Sequence, residues 1–290
     1  MCNVLIMGSY AVPDAWKYGE PKDVDVVLAS WSIGEYLFLI INKSRIEAYL
    51  RRILGRDVNV APLLLWMPTV IGNVYLLLHA KRCREILEKY SFLYPLLASR
   101  VSKRWLLLLS FYAFLGMICS IRKRDLIKYA VMMADSLIIY RRMVPPRRWN
   151  ESLRRAYIIS KRLGLRYHEE LFKQVMKLLI KMQHEPADVK LLHELAPKVL
   201  KERLVLLDVN IDNLEYTIMT KGLVEEPLRA IHEFLYRLLG RRIRWRKAVR
   251  ILVRTISYVL LNKNPKKELV CKAYALCKDQ VPVLSPFAHP

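Results

Sequence analysis

The sequence predicts an α+β protein: a mixed-sheet core at the N-terminal end, then an all-α basic region. Three observations carry this. Short apolar runs at 4–7, 24–29 and 57–66 are rich in Val, Ile and Leu, are bounded by turn residues, and have strand length. From His79 onward apolar residues recur every three or four positions, the period of a helix. The charge divides at the same place. Seven Lys/Arg and seven Asp/Glu balance over residues 1–78, so the remaining 42 Lys/Arg and 19 Asp/Glu carry the whole net charge of +23.

Taken in order, residues 3–7 read as a strand. Residues 10–22 hold Pro13, Gly19 and Pro21 and read as a short helix or loop. Residues 23–29 form a second strand. Ser44 to Leu54 is a helix, with Ile46, Tyr49, Leu50 and Ile53 in register and Gly55 as its stop. Residues 57–66 form a third strand, where Pro62 points to a sheet edge or a bulge. Residues 73–78 offer a further strand and 80–90 an amphipathic helix.

Trp105 to Ile121 is an uncharged stretch of 17 residues between Lys103-Arg104 and Arg122-Lys123-Arg124. It sits at the short limit for a membrane span, and basic residues at both ends give no orientation signal, so it reads as a buried helix. A helix over 125–142 follows. Pro145-Pro146 then marks a linker, because two prolines do not fit a helix interior. Asn150 is placed to cap a helix over 151–163 that Gly164 ends. Further helices are expected over 168–184, 226–239 and 241–261; residues 204–211 fit strand or helix equally. The expected organisation is a core over 1–90 and a basic helical domain over 91–290, with a sub-boundary near 145–150.

Two stretches of the sheet region carry chemistry. The first strand ends in Met7-Gly8-Ser9, which offers a turn free of side chains, backbone N–H groups and a hydroxyl, suited to phosphate. The second begins Asp23-Val24-Asp25-Val26. Alternate residues of a strand share a face about 6.6 Å apart at ~3.3 Å per residue, so Asp23 and Asp25 stand side by side. Two adjacent carboxylates repel unless a cation or a proton lies between them. Mg²⁺ takes hard oxygen ligands, commonly one or two carboxylates plus substrate phosphates. A solvent-facing cleft shared by Gly8, Ser9, Asp23 and Asp25 is therefore expected.

The order Met7-Gly8-Ser9, a spacer, then Asp23-Val24-Asp25-Val26 resembles the signature of the nucleotidyltransferase superfamily, the DNA polymerase beta-like fold. The third strand, Asp57-Val58-Asn59-Val60-Ala61-Pro62, is similar in form to that of the archaeal CCA-adding branch. There it carries a third carboxylate; here Asn59 stands in that place. The resemblance covers residues 2–80. It implies a polymerase beta-like mixed sheet and Mg²⁺- or Mn²⁺-dependent transfer of a nucleoside monophosphate from an NTP to a hydroxyl acceptor. Asp23 and Asp25 would be metal ligands, Gly8 and Ser9 nucleotide-binding, and Asn59 the altered third position. Asn59 can offer an oxygen but cannot act as a base. Asp57 shares its strand face and is the nearest substitute.

The basic region points to a polyanionic partner, RNA above all. Arg241, Arg242, Arg246 and Arg250, with Trp245 among them, could hold phosphates and stack a base. Arg147-Arg148-Trp149 repeats the pairing. Two alternatives stay open: a catalytically inactive protein of the same fold that binds RNA or a protein partner, and a toxin-type enzyme that nucleotidylates protein. Arg162 and His168 have a spacing similar to that of a family of helical ribonucleases. Five scattered cysteines, with no Cys-x-x-Cys, predict neither a disulfide framework nor a zinc site. With no secretory leader apparent, the cytoplasm is the expected compartment and membrane association is not expected.

Overall fold

The computed structural model describes residues 3–7, 10–21, 23–64, 98, 101, 103–181, 189–219, 245–262 and 265–278. The architecture is α+β, a small mixed sheet followed by a run of helices. Strands β1 (Asn3–Met7), β2 (Asp23–Ser30) and β3 (Asp57–Leu64) form a sheet in the order β1-β2-β3. β1 pairs antiparallel with β2, and β2 parallel with β3. Between β2 and β3 run α1 (Ile33–Ile41) and α2 (Lys43–Leu54). The helical region comprises α3 (Lys103–Cys119), α4 (Lys123–Tyr140), α5 (Trp149–Arg162), α6 (Arg166–Lys181), α7 (Val189–Leu206), α8 (Leu214–Met219), α9 (Trp245–Leu261) and α10 (Lys267–Lys278).

The two faces of the sheet do different work. Val24, Val26, Leu28, Val58 and Val60 pack with Leu39, Ile46 and Leu50 of α1 and α2. Val27, Ala29 and Ala61, on the opposite face by strand alternation, belong instead to the large core built by the helices. Sheet and helices thus share one core. β3 is the outer strand among the described residues. The Val60 N–H, on that outer side, donates to the buried Glu47 of α2 at 2.9 Å. Pro62, two residues on, lacks its N–H on that same outer side, as expected of an edge.

The uncharged stretch near Trp105 is a buried helix. Leu106 to Met117 of α3 are all buried, with α4, α7 and α10 packed around them. No described helix is long and apolar enough to cross a membrane. Gly116 lets α4 approach: a Cβ there would come within 2.4 Å of the Tyr129 ring.

Several expectations need correction. α1 was not foreseen, although Ser32 and Glu35 have capping-box spacing and the Ser32 hydroxyl accepts from the Glu35 N–H. Residues 204–206 are the end of a helix, since α7 runs through Pro197 to Leu206. Cys119 and Cys271 form a disulfide, 5.5 Å between Cα atoms and 152 residues apart in sequence, which joins α3 to α10. The chain thus has a cross-link where none was expected. The strand over 73–78 and the helices over 80–90 and 226–239 lie outside the described residues.

The cap of α5 is also not the expected one. The helix starts at Trp149, one residue before Asn150, and its own flanking residue, Arg148, makes no side-chain cap. The carboxylate of Asp14, 135 residues away, accepts from the N–H groups of Trp149 and Asn150, each at 3.0 Å. Tyr18 stacks on Trp149 beside it, with the ring planes within 4° of parallel. This ties the segment between β1 and β2 to the start of α5.

α6 is capped in the same manner by Glu202 of α7, which accepts from the N–H groups of Tyr167 and His168 at 3.0 Å. His168 lies buried with its Nδ1 2.9 Å from Glu202 Oε2, and Arg162 is exposed. The pair does not form an open ribonuclease-like site. Burial pulls His168 below its ordinary value, and nearby Arg203 adds to this against the pull of Glu202. The unfolded chain therefore takes up a proton near pH 6.5 that the folded chain resists. This share of stability is present above that pH and is lost as pH falls through it. Burial raises Glu202, but its hydrogen bonds outweigh this and leave it lowered, so its share is lost at still lower pH. The thermal midpoint should drop between pH 7 and 5.5, and His168→Gln should flatten that drop. An unchanged pH slope in the variant would assign the effect to another group.

Candidate active site

β2 places Asp23 and Asp25 on one face, the face turned toward the helices. The parallel register sets Asp25 opposite Asn59 and Asp23 opposite Asp57. Asn59 bridges the two carboxylates: its Nδ2 donates to Asp23 Oδ2 at 2.8 Å and to Asp25 Oδ1 at 3.3 Å. β1 ends at Met7, paired with Asp25, so the chain leaves that strand beside the carboxylates. Gly8 and Ser9, next in sequence, lie outside the described residues.

Asp57 opens β3 in solvent and ion-pairs with Arg51 at 3.7 Å, both side chains more than half exposed. Arg56 ion-pairs with Glu20 and also donates to the Pro21 carbonyl, which fastens the approach to β2 against the start of β3.

Exposure departs from expectation. Asp23 is half-buried, and Asp25 is 9% exposed. α4 brings Arg124 and, one turn later, Lys128 within electrostatic reach of this face. The Arg124 Nη1 donates to the Glu20 carbonyl at 2.5 Å. Burial lowers the Arg124 guanidinium, opposed by Asp125 and Asp23. Burial also works against the Lys128 ammonium, but Asp25, then Tyr129, Asp23 and Asp125, outweigh it and hold it above its ordinary value. Beneath lie three tyrosines. Tyr129 and Tyr274 are 3.2 Å apart at their hydroxyls, and Tyr112 packs on both rings. Burial, with Tyr129 and Asp25 adding to it, raises the Tyr112 hydroxyl well above its usual range.

These groups can hold a small hard cation between Asp23 and Asp25. The amide of Asn59 can turn its oxygen to such a cation, since the two ends of an amide exchange by a simple rotation. Two carboxylates and an amide oxygen suit Mg²⁺, which completes its shell with water and phosphate. Among the described residues no three His, Cys, Asp or Glu cluster to bind a metal. The donor set therefore fits a metal brought in with phosphates better than a closed all-protein site. The cations of α4, Arg124 and Lys128, were not found from sequence; a Lys/Arg pair four apart on a helix is too common to single out.

The second sequence candidate is less assembled. Arg241 and Arg242 lie outside the described residues. α9 starts at Trp245, and Lys247, Arg250 and Arg254 are exposed along it. Arg250 is already engaged, its Nε 3.0 Å from Glu215 Oε1. No family model, no curated protein and no solved structure matches this chain.

Proposed function

We propose that the chain transfers a nucleoside monophosphate from an NTP to a hydroxyl of RNA, with Mg²⁺, on a polymerase beta-like sheet. The observation that carries this reading is the Asp23–Asp25 pair on one strand face, with Asn59 registered opposite on a parallel strand and β1 ending beside it. When bound, the metal would activate the acceptor hydroxyl and neutralise the triphosphate and the departing pyrophosphate. Asp23 and Asp25 would hold it and Asn59 would add its amide oxygen. Arg124 and Lys128 would turn from the carboxylates to the phosphates. The acceptor oxygen bonds to the α-phosphorus as the bond to the bridging oxygen breaks, and pyrophosphate leaves. Asn59 takes no proton, so the hydroxyl proton passes to a neighbouring carboxylate or to water.

The second reading, an inactive relative of the same fold that binds RNA or a protein, has its own support. The Asn59 amide and the α4 cations already compensate the carboxylates, and Asp25 is covered. Incubation with each labelled NTP, Mg²⁺ or Mn²⁺ and total RNA separates the cases. A labelled RNA band is the expected result. A labelled protein band would replace RNA by a protein acceptor, and no label under any condition would favour the inactive reading.

A further inference from the structure

We propose that the exposed face of α5, continued by the α5–α6 turn, binds the phosphate backbone of RNA. This deepens the acceptor half of the reading above and does not depend on its chemistry. Residues 147–181 hold ten Lys/Arg against three Glu. Arg148, Arg154, Arg155, Lys161, Arg162 and Arg166 are all exposed, and among the described residues none has a carboxylate within ion-pair distance. Glu151 alone interrupts this face. Several exposed or half-buried cations elsewhere are partnered: Arg51 by Asp57, Arg56 by Glu20, Lys103 by Asp208 and Arg250 by Glu215. Among the described residues the cations of this face have no carboxylate partner, and they repel one another. Such an array draws a polyanion.

The chemistry favours phosphate. Five of the six are arginines, whose planar fork binds phosphate oxygens in pairs. Arg154-Arg155 and Lys161-Arg162 recur after seven residues, so the two pairs lie on one face about 10 Å apart along the helix. The array is anchored at both ends: Asp14 caps its first turn, and Glu202 caps α6 just beyond the Gly164 turn. At that turn Tyr167 is 42% exposed, with the Lys198 ammonium 5.4 Å from its ring centre. It supplies an aromatic plate at the end of the basic stripe, the pairing that single strands use. A lipid surface fits poorly. Membrane-surface helices turn an apolar face outward, whereas α5 buries Leu153 and Ala156 in the core and exposes one large apolar residue, Ile158. The capped end of α5 meets the segment between β1 and β2, which leads in sequence to Asp23.

The test is binding of a fluorescein-labelled single-stranded RNA, without nucleotide or metal, across a salt series. Arg154→Gln/Arg155→Gln/Arg162→Gln should bind at least about tenfold more weakly near 0.1 M salt. Its slope of log affinity against log salt should be flatter by about 2, at roughly 0.7 for each phosphate that the protein no longer neutralises. Lys103→Gln, at a cation already paired with Asp208, should by comparison change little. These side chains are exposed, so an unchanged melting curve will show that the fold is kept. Equal affinity and slope in the triple variant would overturn the proposal, as would no RNA binding by the wild type at low salt. So would variant-sensitive binding to phosphatidylserine vesicles in place of RNA. Because no transfer is read, a protein without activity can still satisfy this test, and failure here leaves the reaction to be judged by labelling.

Discussion

Asp23→Asn should reduce nucleotide transfer by at least about 10³-fold, about 4 kcal/mol of transition-state stabilisation, with little change in stability. Its carboxylate is half-buried and its loss leaves the sheet intact. Asp25→Asn should abolish transfer to the same degree and should also lower stability, by roughly 1–3 kcal/mol. That residue is 9% exposed, and its charge is among those that hold the Lys128 ammonium in place. Single-turnover rates with labelled NTP, beside melting curves, separate the two effects. Full transfer by the double variant would place the chemistry elsewhere in the chain.

Asn59→Asp should act in opposite directions with and without metal. In a chelator it sets a third carboxylate where the amide now donates at 2.8 and 3.3 Å. Three crowded carboxylates raise their own pKa values, so stability is kept at low pH and lost as pH rises through the carboxylate range. With Mg²⁺ present the third ligand is restored, the melting temperature should recover, and the metal-induced rise should exceed that of the wild type. Transfer should increase by roughly 10²–10⁴-fold, the usual worth of a general base. If Mg²⁺ shifts the melting of neither form, Asp23 and Asp25 are a structural pair held by Lys128, and the inactive reading stands.

The legible parts of this fold were those set by local pattern. Val24 to Ala29 and Val58 to Ala61 are β-branched and aliphatic but for Asp25 and Asn59, and a strand is the short element that buries such runs on both faces. The pattern gave the strands but not their pairing; that Asn59 lies opposite Asp25 comes from the parallel register. The uncharged stretch of α3 was readable as a buried helix for a similar reason. α1 was missed because Gly34 and an almost wholly apolar run hide any amphipathic stripe. Only Ser32 and Glu35 marked it. The cover over Asp25, the Cys119–Cys271 bridge and the Asp14 cap were not legible at all. Each joins residues more than 95 positions apart, and no local propensity encodes such a meeting.

The Asp14 cap has a consequence for how the chain reaches this state. An isolated α5 is 14 residues long, near the lower limit for a stable helix in water, and its first N–H groups find their acceptor only when the residues after β1 have docked. α6 waits in the same way for Glu202 of α7. Closing a loop of 135 residues costs entropy before any contact rewards it, so the ordering of α5 belongs late on the folding path and ends together with that of the sheet. A cut at Pro145-Pro146, where composition suggests a natural border, would sever the cap from its helix and leave both fragments short of a shared core. Assembly is then a single cooperative event, and the rate of α5 formation reports on β1 and β2 as much as on α5 itself.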